Sequence, residues 1–145
     1  MTDYRKMSDF EINLLITKII HGEIVSYSSN KETPDNMDHW PQVLSIGDDI
    51  YIKHMHEPED EYPYSDFCFC NINPCNNPSD AWPIIVENGI SLYHDNGNWQ
   101  AEMTYDAPIG AFGTDEKCSK FVDDKNPLRA AMIVFLMMKE AAENV

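Results

Sequence analysis

Three cysteines crowd one stretch of this chain, Cys68, Cys70 and Cys75, with a fourth at Cys118 and two histidines, His54 and His56, a little upstream. Thiolate and imidazole are zinc ligands, so a metal centre is the first chemistry to weigh. Structural zinc sites space their paired ligands by about two to four residues, whereas here the gaps are one and four. That spacing argues against zinc, and the four thiols read as small buried or half-exposed side chains. With no secretory signal, a disulfide framework is not expected either. No metal and no other cofactor is expected.

Other chemistries find less support. There is no Gly-x-Ser-x-Gly elbow, no cysteine in a recognisable catalytic setting, no P-loop and no Gly-x-Gly-x-x-Gly turn. Carboxylates are abundant, so two of them close together carry no information, and no catalytic residues can be assigned. Two runs remain as candidate binding residues. One is the acidic stretch Glu57-Pro58-Glu59-Asp60-Glu61, a solvated loop or a dock for a basic surface. The other is Cys75-Asn76-Asn77-Pro78, leading into Asp80 and Trp82. Trp40, Trp82 and Trp99 could line a binding groove, but Trp82 beside Pro83 and Trp99 in a hairpin read in preference as core or core-edge residues.

Local signals say which elements must hold these residues. Ser8-Asp9-Phe10-Glu11 has the form of a capping box, and Ile12, Leu15, Ile16 and Ile19 recur at helical spacing, with Leu14 and Ile20 widening the stripe. With Gly22 as a stop, the pattern predicts a helix over 9–21 with that stripe packed inward. Val43–Ile46 and Ile50–Ile52 flank Gly47-Asp48-Asp49 as a strand pair. Residues 54–77, with three prolines and the aromatics Tyr62, Tyr64, Phe67 and Phe69, read as one long, partly mobile acidic loop. Asp80 is the expected cap of a short helix ending at Gly89; Asn77 as cap with Pro78 at N1 is the alternative. Asn96-Gly97 between two alternating runs marks a hairpin. Thr104–Lys125 reads mostly as loop. Asn126-Pro127 opens a final helix in which Arg129 is the one charge before Met138, so most of its surface must be buried.

The element order predicts an α+β fold, with a small antiparallel sheet packed against N-terminal and C-terminal helices and one short central helix. The chain has 145 residues, in the range of a single compact domain. A net charge of −15 repels phosphate backbones and anionic bilayers. Direct nucleic-acid and membrane partners are therefore not expected. With no run of about 18 apolar residues, a cytoplasmic location is expected.

The run Cys75-Asn76-Asn77-Pro78-Ser79-Asp80-Ala81-Trp82-Pro83-Ile84-Ile85-Val86-Glu87-Asn88, followed by Ile90-Ser91, resembles the signature of the NinX family. That family comprises small proteins of lambdoid and related tailed phages and of prophages in enteric bacteria. Asn126–Met137 resembles the family's C-terminal segment, and Met7–Asn13 fits more loosely. The resemblance implies a phage or prophage origin and action in the cytoplasm of an infected bacterium. It brings no catalytic or ligand residues.

The expected function is that of a non-enzymatic phage accessory protein binding a host or phage protein through an acidic surface. Two alternatives stay open. One is a DNA mimic inhibiting a nucleic-acid-processing enzyme, which requires carboxylates in a row at phosphate spacing. The other is a small-ligand binder or enzyme with its site around Asn76–Trp82. The apolar last helix leaves homo-oligomerisation open.

Overall fold

A computed structural model describes residues 2–61, 66–106 and 117–143 of the chain. The elements run α1 (Asp9–His21), β1 (Val25–Tyr27), β2 (Val43–Ile46), β3 (Asp49–His56), β4 (Asp66–Ile72), α2 (Pro78–Asn88), β5 (Ser91–Asp95), β6 (Asn98–Asp106), β7 (Lys117–Asp124) and α3 (Pro127–Glu143). This is the expected α+β arrangement, but its strands form two sheets in place of one. The first has the order β1-β2-β3-β4 and the second β5-β6-β7. All pairings are antiparallel except β1 with β2, which run parallel.

α3 is the centre of the molecule. Ala130 through Leu136 are all buried, as expected of a helix apolar on most sides. It packs against β6, β7, α1 and α2, and the main core joins Ile12, Ile16, Ala81, Ile84, Ile85, Ala101, Met103 and Val122 to it. The first sheet stands apart from that core. Its buried residues Val43, Leu44, Ile50 and Ile52 fall outside the main cluster. Here β3 against α1 is the principal direct contact with the rest.

α1 starts and stops where its sequence says. The Ser8 hydroxyl accepts from the Glu11 amide at 3.1 Å, and Gly22 follows with φ of 91°. The stripe does not pack along its whole length, however. Ile12 and Ile16 are buried, but Ile19 and Ile20 are 45% and 46% exposed. The turn at Asn96 and Gly97 has φ of 48° and 80°, the paired positive values that a two-residue hairpin loop needs.

Three expectations are corrected. Residues 54–77 are not one loop: β3 continues to His56, and β4 occupies Asp66–Ile72 beside it in register, His54 facing Cys68. The acidic run 57–61 is the described part of the connection between them, while Tyr62 and Tyr64 lie outside the described residues. Thr104–Lys125 likewise holds the end of β6 and all of β7. The segment 107–116 with Gly110 and Gly113 lies outside the described residues.

The third correction concerns α2, which begins at Pro78 with Asn77 as cap, the Asn77 Oδ1 accepting from the Ser79 amide at 3.0 Å. Asp80 is unavailable as a cap because its Oδ2 accepts from the Asn73 amide at 2.9 Å. Pro83 then falls inside the helix, where it forfeits one backbone hydrogen bond. Pro83 and Ser79, the residue four before it, are both exposed, so water can satisfy the carbonyl left over.

Candidate functional site

The polar run at 75–78 sits where the N-termini of α1, α2 and α3 meet. Cys75 is fully buried. Its amide donates to Asn13 Oδ1 at 3.0 Å, and its carbonyl accepts from Asn126 Nδ2 at 2.7 Å. Asn13 Nδ2 in turn donates to Asn73 Oδ1 at 2.8 Å. Asn76 Nδ2 donates to Asp9 Oδ2 at 3.0 Å, tying the turn to the start of α1. Asn126 also caps α3, its Oδ1 accepting from the Leu128 amide at 3.0 Å. Each asparagine can both donate and accept, which lets this knot close without a charge for every partner.

Arg129 completes the knot. Its guanidinium pairs with Asp9 and, at 3.2 Å, with Asp124, and donates to the Met7 carbonyl at 2.7 Å. The side chain is only 14% exposed, so the two carboxylates offset the cost of burying it. Burial, with Asp9 adding to it, pushes the Cys75 thiol up to about 12, so this sulfur is neither a nucleophile nor a ready ligand. Among the described residues no buried side-chain polar atom lacks a hydrogen-bond partner. Asn13, Asn73 and Arg129, not among the candidates read from the sequence, are central here. An asparagine on the buried stripe of α1 and a lone arginine in an apolar helix were the available signals.

A second feature opens beside the knot. The face of the first sheet carrying Ile52, His54, Cys70 and Ile72 and the exposed end of α1 enclose a groove of about 580 Å³. Ile16, Ile19, Ile20, Pro74, Pro83 and Ile84 supply apolar walls, while His21, His54, Asp80, Glu87 and Lys139 bring polar groups to it. Burial and the neighbouring His54 hold His21 below the usual histidine range, favouring its neutral form. Asp80 is the one candidate residue shared by knot and groove. Trp82 is 62% exposed, which overturns its reading as a core residue, and it is not part of the groove lining. Trp40 is half-buried, donating to the Pro34 carbonyl at 2.8 Å with its ring 5.1 Å from that of Phe69.

The remaining candidates are separate. Glu57, Glu59, Asp60 and Glu61 are all exposed at the β3–β4 connection. The cysteines divide into two groups. Cys75 is in the body of the protein, while Cys68 and Cys70 lie on β4, their sulfurs 4.0 Å apart and His56 Nε2 3.2 Å from Cys68. The Cys118 side chain lies outside what is described. Among the described residues no group of three or more histidine, cysteine or acidic side chains is placed to hold a metal ion. No helix among them is long and apolar enough to cross a membrane.

The model of the family described as bacteriophage P22 NinX matches residues 3–139. The chain belongs to the NinX family. The match takes in α1, most of α3, the knot and both sheets, so family membership extends well beyond the short runs that suggested it. No curated protein and no solved structure matches the chain.

Proposed function

We propose that this NinX-family member is a non-enzymatic phage accessory protein that acts by binding a host or phage protein. The partner segment it fits is amphipathic and basic, seated in the groove between α1, α2 and the first sheet. The observation that carries this reading is the unpartnered half of the α1 stripe. Ile19 and Ile20 are nearly half exposed and face a groove of about 580 Å³ instead of a covering element. Burying such residues on binding is worth roughly 25 cal/mol per Å² of apolar surface, before the costs of association.

Charge sets the sign of the partner. The chain has 25 acidic residues against ten basic ones. Ion pairs among the described residues engage only Asp3, Asp9 and Asp124. The field that remains steers a basic segment inward and keeps anionic surfaces away. The exposed acids at 57–61 extend that field without forming the site itself.

The test is a pull-down from host lysate at low and high salt, run in parallel with Ile20→Asp. Capture at low salt that weakens with salt and fails with Ile20→Asp is the expected result. Capture of nothing at low salt, or capture that Ile20→Asp leaves untouched, removes the groove as the docking site.

A further inference from the structure

The thiols of Cys68 and Cys70 have no packing role comparable with that of Cys75. β4 is an outer strand of its sheet, paired on one side only. Cys70 is exposed and Cys68 only half-buried, whereas Cys75 is fully enclosed. Two residues apart on a strand, Cys68 and Cys70 share a face, and their sulfurs approach to 4.0 Å. His56, on the adjacent strand, brings Nε2 to 3.2 Å from the Cys68 sulfur. Two thiols and an imidazole thus meet at an accessible sheet edge.

A two-coordinate cuprous ion holds its two sulfurs nearly in line, so this pair has to open only by a few tenths of an ångström from its 4.0 Å separation, within reach of side-chain rotation. Soft thiolates select soft ions, cuprous copper and zinc foremost. Zinc wants four ligands, and no described group of three or more donors is placed to hold an ion. Cuprous ion is satisfied by two thiolates. We propose that Cys68 and Cys70 form a two-thiolate site for one cuprous ion, with the His56 ring set against the Cys68 sulfur.

The step balances without oxidant or reductant. Two S–H bonds break and two Cu–S bonds form, the copper staying cuprous throughout. Both protons pass to solvent. The product carries one net negative charge, which the His56 ring faces at hydrogen-bond range. A hydrogen-bonding neighbour of this kind typically changes metal affinity by about 10- to 100-fold. Cys70 also lines the groove, but the two-sulfur geometry is present without a partner there.

The experiment is an anaerobic titration of the reduced full-length chain with cuprous ion held by a coloured chelator. One ion per chain is the expected stoichiometry, with size-exclusion chromatography showing a monomer. Cys68→Ser and Cys70→Ser should each weaken binding at least 100-fold, His56→Gln about 10-fold, and Cys75→Ser and Cys118→Ser not at all. A parallel measurement on the unmutated chain guards against a misfolded variant: bound copper should protect Cys68 and Cys70 from alkylation. Undiminished binding by the Cys68→Ser and Cys70→Ser variants, loss in Cys118→Ser, half an ion per chain, or alkylation unaffected by copper would each overturn the site.

Discussion

The helical body and the first sheet solve the problem of polar and reactive groups in opposite ways. In the body, Cys75, Asn13, Asn73, Asn126 and Arg129 are drawn into one closed knot at the meeting of three helix starts, where described buried polar atoms all find partners. In the first sheet, Cys68, Cys70, His54 and His56 are left at or near the surface, beside a groove the body does not fill. Closure makes Cys75 inert and fixes the approach of the helices. Openness leaves groups free to meet something else. The contrast teaches that the conspicuous Cys-Asn-Asn-Pro run has an architectural explanation, and that the accessible thiols lie on a neighbouring strand.

The sharpest way to break this comparison is to ask whether the two regions unfold together. Ile133→Ala empties part of the main core, where Ile133 is fully buried, and should cost about 3 kcal/mol, lowering Tm by about 10 °C. Native-state hydrogen exchange on the same variant should show α3 amides losing protection by the full amount. Amides of β3 and β4 in the parent protein should already exchange through a smaller opening, because their sheet shares no core with α3. Equal protection in both regions of the parent would make the first sheet part of one cooperative unit and dissolve the distinction.

Next in size is Arg129→Met, which keeps an apolar stem in place of the side chain's own and removes its charged head. Asp9 and Asp124 lose their partner, and the Met7 carbonyl loses a donor. Complete burial of the pair would make the cost larger, but Asp9 is 43% exposed and water can reach it, so about 2 kcal/mol is expected. Urea unfolding measures it. A further substitution, Asn126→Ala, should then cost less in the Arg129→Met background than alone, since both residues hold the same junction. Strict additivity would show that the knot is a set of separate contacts.

How much of this was legible depended on whether the deciding partner was local. The helix at 9–21, the opening of the last helix at Asn126-Pro127 and the Asn-Gly hairpin are written in residues within a turn of each other, and all three form as the sequence predicts. β4 was not legible, because Asp-Phe-Cys-Phe-Cys-Asn-Ile earns its place through pairing with β3 and carries no strong strand signature of its own. β7 pairs with β6 in the same long-range way. The choice between Asn77 and Asp80 as cap turned on Asn73, whose amide claims the Asp80 carboxylate, a contact invisible to capping rules. Of the candidate site, the polar run was visible as unexplained residues. The groove was hidden because the apolar periodicity of α1 marks which face is apolar without saying how far along it a neighbour extends.

The smallest expected effect sharpens the comparison on the body's side, at the contact between the chain's start and its last helix. The Tyr4 hydroxyl donates to Glu140 Oε2 at 2.7 Å. Burial first, and then this bond and the carboxylate's charge, push the tyrosine up to about 12 from an ordinary 10.0. The same bond heads the causes that hold Glu140 below the usual carboxylate range. For the tyrosine the folded value lies above the unfolded one, so its contribution is complete below pH 10 and is lost as pH rises towards 12. For Glu140 the folded value lies lower, so its contribution is present at neutral pH and is lost as pH falls through the carboxylate range. Tyr4→Phe should therefore cost about 1 kcal/mol near neutrality and flatten the stability curve at both its alkaline and its acid end. Denaturant midpoints measured across pH test this directly. A variant whose curve merely drops by a constant would mean that the hydroxyl contributes packing alone, and that the body's polar contacts matter only where helices begin.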